Sequence, residues 1–473
     1  MSSKGSSGKK DPRSKANADR PKPSAAVLQR KDKKYLWHPF TQMRDWQKED
    51  ILIVRRGRGV YLEDLQGRRY LDGVSSLWCN VHGHCVPELD RAVVAQLKQI
   101  AHSTFLGLSN VPAIELAEKL ISIAPPGLTR VFYSDSGSEA VEIALKMAFQ
   151  YWKLRGKPAK AKFAKLTQAY HGDTLGSVSV GGIDQFHEIF GPLLFKTHSI
   201  SAPYRYRWPT GDDPERVHRE SLLEMERVLA ENHEELAALV MEPLMQGAAG
   251  MIDQPSGYIS RARELTKKYN VLLIFDEVAT GFGRTGKMFA SHHENVTPDL
   301  MTVAKGLTGG YLPLAATLAT EEIYDAFLGE YAEFKAFFHG HTYTANPLAC
   351  RVAVANLEIF EKRRVLQSLE EKIRFMERRL SDFYRTPCVG DIRQVGMMVG
   401  IELVRNRQTK ETFAADKKVG MRIIGRARQK GAILRPLGPV IVLMPPLAMT
   451  VRELSRLLEI TQESIREVCE EME

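Results

Sequence analysis

Lys305 stands in LMTVAKGLTGGYLPLAA, a run from Leu300 in which it is the only charged side chain, and the next charge downstream is Glu321. An ammonium buried there is costly unless it is paired, neutralised or used covalently. Asp276 follows the apolar run VLLIF, and Lys305 comes 29 residues later, after a second such run. Two adjacent strand ends would present an acid and an amine to one crevice. SDSGSEAVEIA adds a strand end and a helix start. Gly137 and Ser138 open the helix, Glu139 and Glu142 lie in its first turns, and its free N–H groups form an anion site. Tyr170, in TQAYHGDTLGS, places an aromatic ring after a further apolar run.

Each feature alone has a plainer reading. Asp276 could cap a helix, the Ser-Gly turn could be an ordinary N-cap, and Tyr170 could simply pack. Together they meet the needs of pyridoxal 5′-phosphate: a helix N-terminus for phosphate, an aromatic over the ring, a carboxylate for the ring nitrogen and a lysine for the aldehyde. Such a lysine can also move a substrate proton. A nucleotide-binding or nonenzymatic scaffold fits less well, because SDSGSEA is not GxGxxG and no phosphate-loop lysine follows it.

Positioning these residues requires a particular frame. From about residue 130 to 320, short apolar runs alternate with helical stretches, which predicts an α/β domain with a mainly parallel sheet sandwiched by helices. Residues 96–349 are read as this large domain. A smaller α+β domain is expected from both chain ends, residues 35–95 and 350–473. Residues 1–34 hold 11 Lys/Arg against 3 Asp, which accounts for +8 of the chain's +9. This basic stretch is poor in apolar residues and reads as a disordered tail, so the folded body is near neutral and no nucleic-acid partner is expected. The five cysteines, Cys79, Cys85, Cys350, Cys388 and Cys469, show no paired spacing and are expected to be reduced thiols in a cytoplasmic protein. No apolar run is long enough to span a membrane.

SDSGSEAVE, AYHGDT, DEVATGFGRTG, TVAKGLTGG and HGHTYTANPLAC resemble the class III, fold-type I pyridoxal-phosphate aminotransferases, in order and spacing over roughly residues 35–470. WHPFTQM at 37–43, SSLWCNVHGH at 75–84, ALKMAFQYW at 144–152 and RPLG…VLMPP at 435–446 resemble the branch that converts 8-amino-7-oxononanoate to 7,8-diaminononanoate in biotin biosynthesis. A broad ω-amino acid:pyruvate transaminase shares the catalytic core but not these segments.

The resemblance implies that Lys305 holds the cofactor, Asp276 pairs with its ring nitrogen and Tyr170 covers the ring. Gly137, Ser138 and Thr342 of the partner subunit would bind phosphate, which makes the enzyme a homodimer with sites at the interface. Glu242 would support the cofactor. Arg435 would hold the keto-acid carboxylate, and Trp78, Phe40 and Arg284 would line the substrate channel. The chain departs from the adenosylmethionine-using pattern at Phe40, where a tyrosine is usual, at Leu77–Trp78, where two tryptophans are usual, and in HGHT (339–342), where HGPT is usual. A lysine-using subgroup shows a similar pattern, so the donor is expected to be S-adenosylmethionine or lysine.

Overall fold

The computed structural model describes residues 24–183 and 187–472 and divides the chain into two units, Met1–Arg56 with Leu62–Arg69, and Gly57–Tyr61 with Tyr70–Glu473. Residues 1–23 of the basic stretch lie outside the described residues.

In the first unit, helix α1 (Ala25–Tyr35) starts at Ser24, whose Oγ accepts from the Val27 amide, and ends on Lys33 and Lys34, which suit its negative dipole end. The disordered reading of residues 1–34 is therefore corrected for 25–34. None of its residues is buried. Polar bonds hold it instead. Asp32 accepts from Trp46 Nε1 at 2.8 Å and meets His38 Nε2 at 3.0 Å, while Gln29 Nε2 donates to Asp50 Oδ1 at 2.7 Å. Composition, which weighs burial, does not register such bonds.

The second unit is built on a seven-stranded sheet. In chain order its strands are β1 (Leu128–Ser134), β2 (Lys162–Leu166), β3 (His198–Ile200), β4 (Leu236–Met241), β5 (Leu272–Asp276), β6 (Leu300–Val303) and β7 (Ala315–Thr320). The spatial order is β1-β7-β6-β5-β4-β2-β3. Only β7 runs antiparallel to its neighbours. LAALVM in β4 and LLIFD in β5 are buried throughout, as expected of parallel strands covered on both faces. The predicted parallel sheet is thus present. The antiparallel β7, which follows the Lys305 turn, was not read from the sequence because its run LAATLAT has no turn residue that sets direction. In β5 and β6, Asp276 is paired with Thr302, so Asp276 and the start of the Lys305 turn share one sheet edge.

Helix α2 (Gly137–Leu154) follows β1 and buries Val141, Ala144, Leu145, Ala148 and Trp152. Helix α3 (Pro347–Lys362) packs beside the turn that carries Lys305. Strands Val389–Val395, Met398–Leu403, Val440–Leu443 and Arg435–Leu437 form an antiparallel sheet toward the C-terminus. Ala432 and Ile433 pair in parallel with Leu71 and Asp72, so residues from both ends of the chain share a sheet, as expected.

One expectation fails. Cys388 and Cys469 are joined by a disulfide across a sequence separation of 81, with Cα atoms 6.3 Å apart. Cys388 precedes strand Val389–Val395, and Cys469 lies in the last turn of helix α4 (Val451–Glu470). Their approach depends on how that helix packs, which cysteine spacing alone does not reveal. Cys79, Cys85 and Cys350 are free thiols, and no helix among the described residues is long and apolar enough to cross a membrane.

Candidate active site

A cavity of about 650 Å³ opens at the carboxyl edge of the large sheet, lined among others by Trp78, Gly137, Ser138, Tyr170, Glu242, Asp276 and Lys305. The sequence elements read separately therefore converge. Lys305 has a left-handed backbone with φ 45°, and its Nζ lies 5.4 Å from the Trp78 ring centroid. The amine has no hydrogen-bond or ion-pair partner among the described residues. Burial holds its pKa below the ordinary lysine value, and the Asp276 and Glu242 carboxylates oppose that shift.

The glycines after Lys305 have specific neighbours. A Cβ on Gly306 would stand 2.9 Å from Phe282 Cβ, and one on Gly309 would stand 2.8 Å from Asn356 Oδ1. Asn356, on α3, donates through Nδ2 to the carbonyls of Gly306 and Leu307, both at 3.0 Å. These glycines let the turn pack against its own supports.

Asp276 is buried and held on three sides. Oδ1 accepts from the Val278 amide at 3.0 Å and from Thr302 Oγ1 at 3.3 Å, and Oδ2 accepts from His171 Nδ1 at 2.7 Å. His171 Nε2 is buried without a hydrogen-bond partner among the described residues. His171 was not singled out from the sequence, although it follows Tyr170 directly in AYHGDT. The Tyr170 hydroxyl donates to Asp173 at 2.8 Å, and burial pushes its pKa up.

Glu242 is buried in the cavity wall. Oε1 accepts from the Gly247 amide at 2.9 Å and Oε2 from the Tyr170 amide at 3.2 Å. Burial raises its pKa to about 7, with Asp276 adding to the rise and His171 opposing it.

At the start of α2, Ser136 and Glu139 form a reciprocal capping box, and Ser138 Oγ accepts from the Thr174 amide at 3.1 Å. A Cβ on Gly137 would fall 2.7 Å from Val278 Cγ1, so only glycine brings the helix end this close to the loop after Asp276.

Arg435 opens its strand half-buried, with no ion-pair or hydrogen-bond partner among the described residues. Burial lowers its pKa, and the neighbouring Tyr170 phenol acts in the opposite sense. Arg284 does not line the cavity. It is fully buried, and its guanidinium donates to the carbonyls of Pro445 and Asn80, both at 2.8 Å, and of Trp78 at 3.4 Å. Its expected place on the substrate channel is corrected to one behind the Trp78 segment. This chain's own Thr342 is exposed and is not among the cavity's lining residues. Phe40 lies in the first unit and is 58% exposed.

A carboxylate fixed on three donors, an amine with no hydrogen-bond or ion-pair partner among the described residues, a glycine-opened helix N-terminus and an aromatic ring stand around one cavity, and this set fits the groups of pyridoxal phosphate. The family model for aminotransferase class-III matches residues 43–465, and the chain belongs to that family. The chain is 53% identical over 438 residues to an adenosylmethionine-8-amino-7-oxononanoate aminotransferase of Geobacter sulfurreducens, covering 92% of this chain and 97% of the relative. A relative of the same name from Aquifex aeolicus is 51% identical, over 94% of this chain and 98% of its own. Among solved structures, the enzyme of that name from Methanocaldococcus jannaschii superposes with a TM-score of 0.90 at 46% identity, covering 94% of this chain and 99% of that one. An omega transaminase from Pseudomonas jessenii in complex with PMP also gives 0.90, at 33% identity, over 94% and 98% of the two chains. The chain is thus a pyridoxal 5′-phosphate-dependent aminotransferase.

Proposed function

We propose that this aminotransferase converts 8-amino-7-oxononanoate to 7,8-diaminononanoate in biotin biosynthesis. The observation that carries the reading is the near-full-length identity to relatives named for that acceptor. The unpaired Arg435 guanidinium beside Tyr170 supports it, since a permanently charged, bidentate donor suits the carboxylate of a long keto-acid.

Bound pyridoxal phosphate supplies an aldehyde that condenses with amines and a ring that accepts the electron pair released when a C–H bond breaks. Lys305 Nζ, with no hydrogen-bond or ion-pair partner among the described residues, would hold the cofactor between turnovers and would carry the proton to and from the amine-bearing carbon during them. Asp276, fixed by His171, Val278 and Thr302, would pair with the ring nitrogen. Gly137 and Ser138 would offer the helix end to phosphate, and Tyr170 would cover the ring. Glu242 steadies the Tyr170 and Gly247 backbone around the cofactor. Trp78 forms the wall beside Lys305, and Phe40 is proposed to bind substrate.

The protein is further proposed to act in the cytoplasm as a homodimer, in which Thr342 of the partner subunit completes the phosphate site. The exposure of this chain's own Thr342 is consistent with that exchange.

The relatives' names give adenosylmethionine as donor. Leu77, 51% exposed where a second tryptophan is usual, removes an aromatic surface and favours lysine as a second reading. A single-turnover experiment tests both. Loaded enzyme is mixed with either amine and its visible absorbance followed, then 8-amino-7-oxononanoate or pyruvate is added. Bleaching by adenosylmethionine but not lysine removes the second reading. Recovery of the band with pyruvate but not with 8-amino-7-oxononanoate overturns the proposed acceptor.

A further inference from the structure

The wall of the cavity beside Lys305 is made by a backbone segment in an unfavourable conformation. Ser75, Ser76 and Trp78 have φ of 51°, 62° and 64°, all in the left-handed region that non-glycine side chains seldom adopt. Such a conformation persists only where its surroundings over-determine it. Trp78 is only 5% exposed, and its indole stands over Lys305 Nζ. A Cβ on Gly247 would lie 3.2 Å from Trp78 Cζ3, so the ring has little room to shift on that side.

What holds the segment is a carboxylate outside the cavity. Asp72 is fully buried at the end of strand Arg69–Asp72. Its Oδ1 accepts from the Ser76 amide at 2.7 Å, and its Oδ2 accepts from Ser76 Oγ at 2.9 Å and from His84 Nε2 at 3.1 Å. The imidazole is oriented in turn. Asn80 Oδ1 accepts from the Gly83 amide at 2.8 Å, which directs Asn80 Nδ2 to His84 Nδ1 at 3.2 Å and leaves the ring proton on Nε2, facing Asp72. A Cβ on Gly57 would fall 2.6 Å from His84 Cγ, so glycine there makes room for the ring. On the far side of the segment, Arg284 grips the Trp78 and Asn80 carbonyls.

We infer that Asp72, through Ser76 and with His84 as its brace, is a positioning residue that sets Trp78 against Lys305 and so shapes the substrate end of the cavity. The inference rests on the assignment of the cavity as a transaminase site but not on which acceptor or donor is used. Without the carboxylate, the Ser76 amide and His84 Nε2 lose their partner, and Ser76 loses both bonds that hold it in its left-handed conformation.

The test compares wild-type holoenzyme with Asp72→Ala, Asp72→Asn and His84→Ala by hydrogen exchange and by half-reaction kinetics with whichever amine wild type accepts. In Asp72→Ala, amides of residues 74–81 are expected to exchange at least about tenfold faster than in wild type, with the large sheet unchanged. The visible cofactor band is retained, and kcat/KM falls by about 10- to 100-fold, mainly through KM. Asp72→Asn, which keeps an acceptor for the Ser76 amide, recovers most of both losses. Unchanged exchange over residues 74–81 in Asp72→Ala overturns the inference, as does a loss confined to kcat. If Asp72→Ala does not fold, His84→Ala decides: local exchange speeds up if Asp72 needs its brace, and unchanged exchange and KM refute it. An inactive wild type with the same exchange pattern counts against the proposed reaction while the positioning role stands.

Discussion

Glu242 offers a test in which the sign and size of the effect follow from its surroundings. Its carboxyl is buried, and its pKa stands at about 7 against an ordinary 4.5. A value raised by folding means the folded chain holds the proton more tightly than the unfolded one. Below about pH 4.5 both states are protonated and the stabilisation is complete. Between about 4.5 and 7 the unfolded chain gives up the proton while the folded chain keeps it, so stability falls as pH rises. Above about 7 the fall is complete, and 2.5 pH units at about 1.4 kcal/mol each set it at roughly 3 to 4 kcal/mol. Glu242→Gln removes this dependence. The amide can accept at only one of its two atoms, so either the Gly247 or the Tyr170 bond is lost, a loss of about 1 kcal/mol independent of pH. The variant is therefore expected to be slightly less stable than wild type at pH 4.5 and more stable at pH 8, with the two profiles crossing between. Urea unfolding of both cofactor-free chains across that range is the measurement, since cofactor would add its own pH-dependent term. Groups common to both chains cancel in the difference. Parallel profiles through the window would refute the reasoning, because they would mean that Glu242 titrates alike in the folded and unfolded chain.

Three further outcomes follow from the same geometry. Lys305→Ala is expected to abolish turnover and the visible band of lysine-bound cofactor while leaving noncovalent cofactor binding detectable by equilibrium dialysis. Arg435→Ala is expected to raise KM for the keto-acid by about 10- to 100-fold, the loss of a charged hydrogen-bonded pair, with a smaller effect on the donor half-reaction, as single-turnover kinetics would record. Cys469→Ser opens a crosslink spanning 81 residues, for which chain entropy gives about 4.5 kcal/mol. The thermal midpoint should drop while the rate at ambient temperature is unchanged, since neither cysteine lines the cavity. Peptide mapping without reductant should recover Cys388 and Cys469 joined.

The placement of Asp276 and Lys305 on one sheet edge was legible because it follows from repeating patterns. Apolar runs give parallel strands, parallel strands put their carboxyl ends on one edge, and residues just past two neighbouring strands must then face one crevice. Asp276 and Lys305 were found by that argument alone, and the pairing of Asp276 with Thr302 shows it operating in the sheet. What escaped the sequence depends on contacts between segments whose approach has no period. His171 bonds to Asp276 from a residue position 105 away, the two bonded cysteines meet only when a terminal helix packs, and α1 is held by bonds from Asp32 and Gln29 to residues 38–50. Arg284 shows the opposite error. Its motif marks it as functional, but a fully buried guanidinium whose two terminal nitrogens are bonded to three backbone carbonyls has little left to offer a substrate.

That contrast gives a physical criterion for sorting charged residues around this cavity. Asp72, Arg284 and Asp276 are buried and each makes several hydrogen bonds, so truncating any of them leaves partners stranded and moves backbone. Among the described residues the Lys305 amine and the Arg435 guanidinium have no hydrogen-bond or ion-pair partner, and burial lowers the pKa of both, so the folded chain carries part of their desolvation penalty without compensation. An uncompensated group of this kind costs stability until something binds. Removing it should leave the fold intact or slightly more stable while the one bond it would make to its ligand is lost. In the proposed function, the compensation for Lys305 would be a bond to the cofactor aldehyde, and for Arg435 the carboxylate of the acceptor. Satisfaction of hydrogen bonds, rather than motif membership, therefore separates the residues that build this site from those that use it.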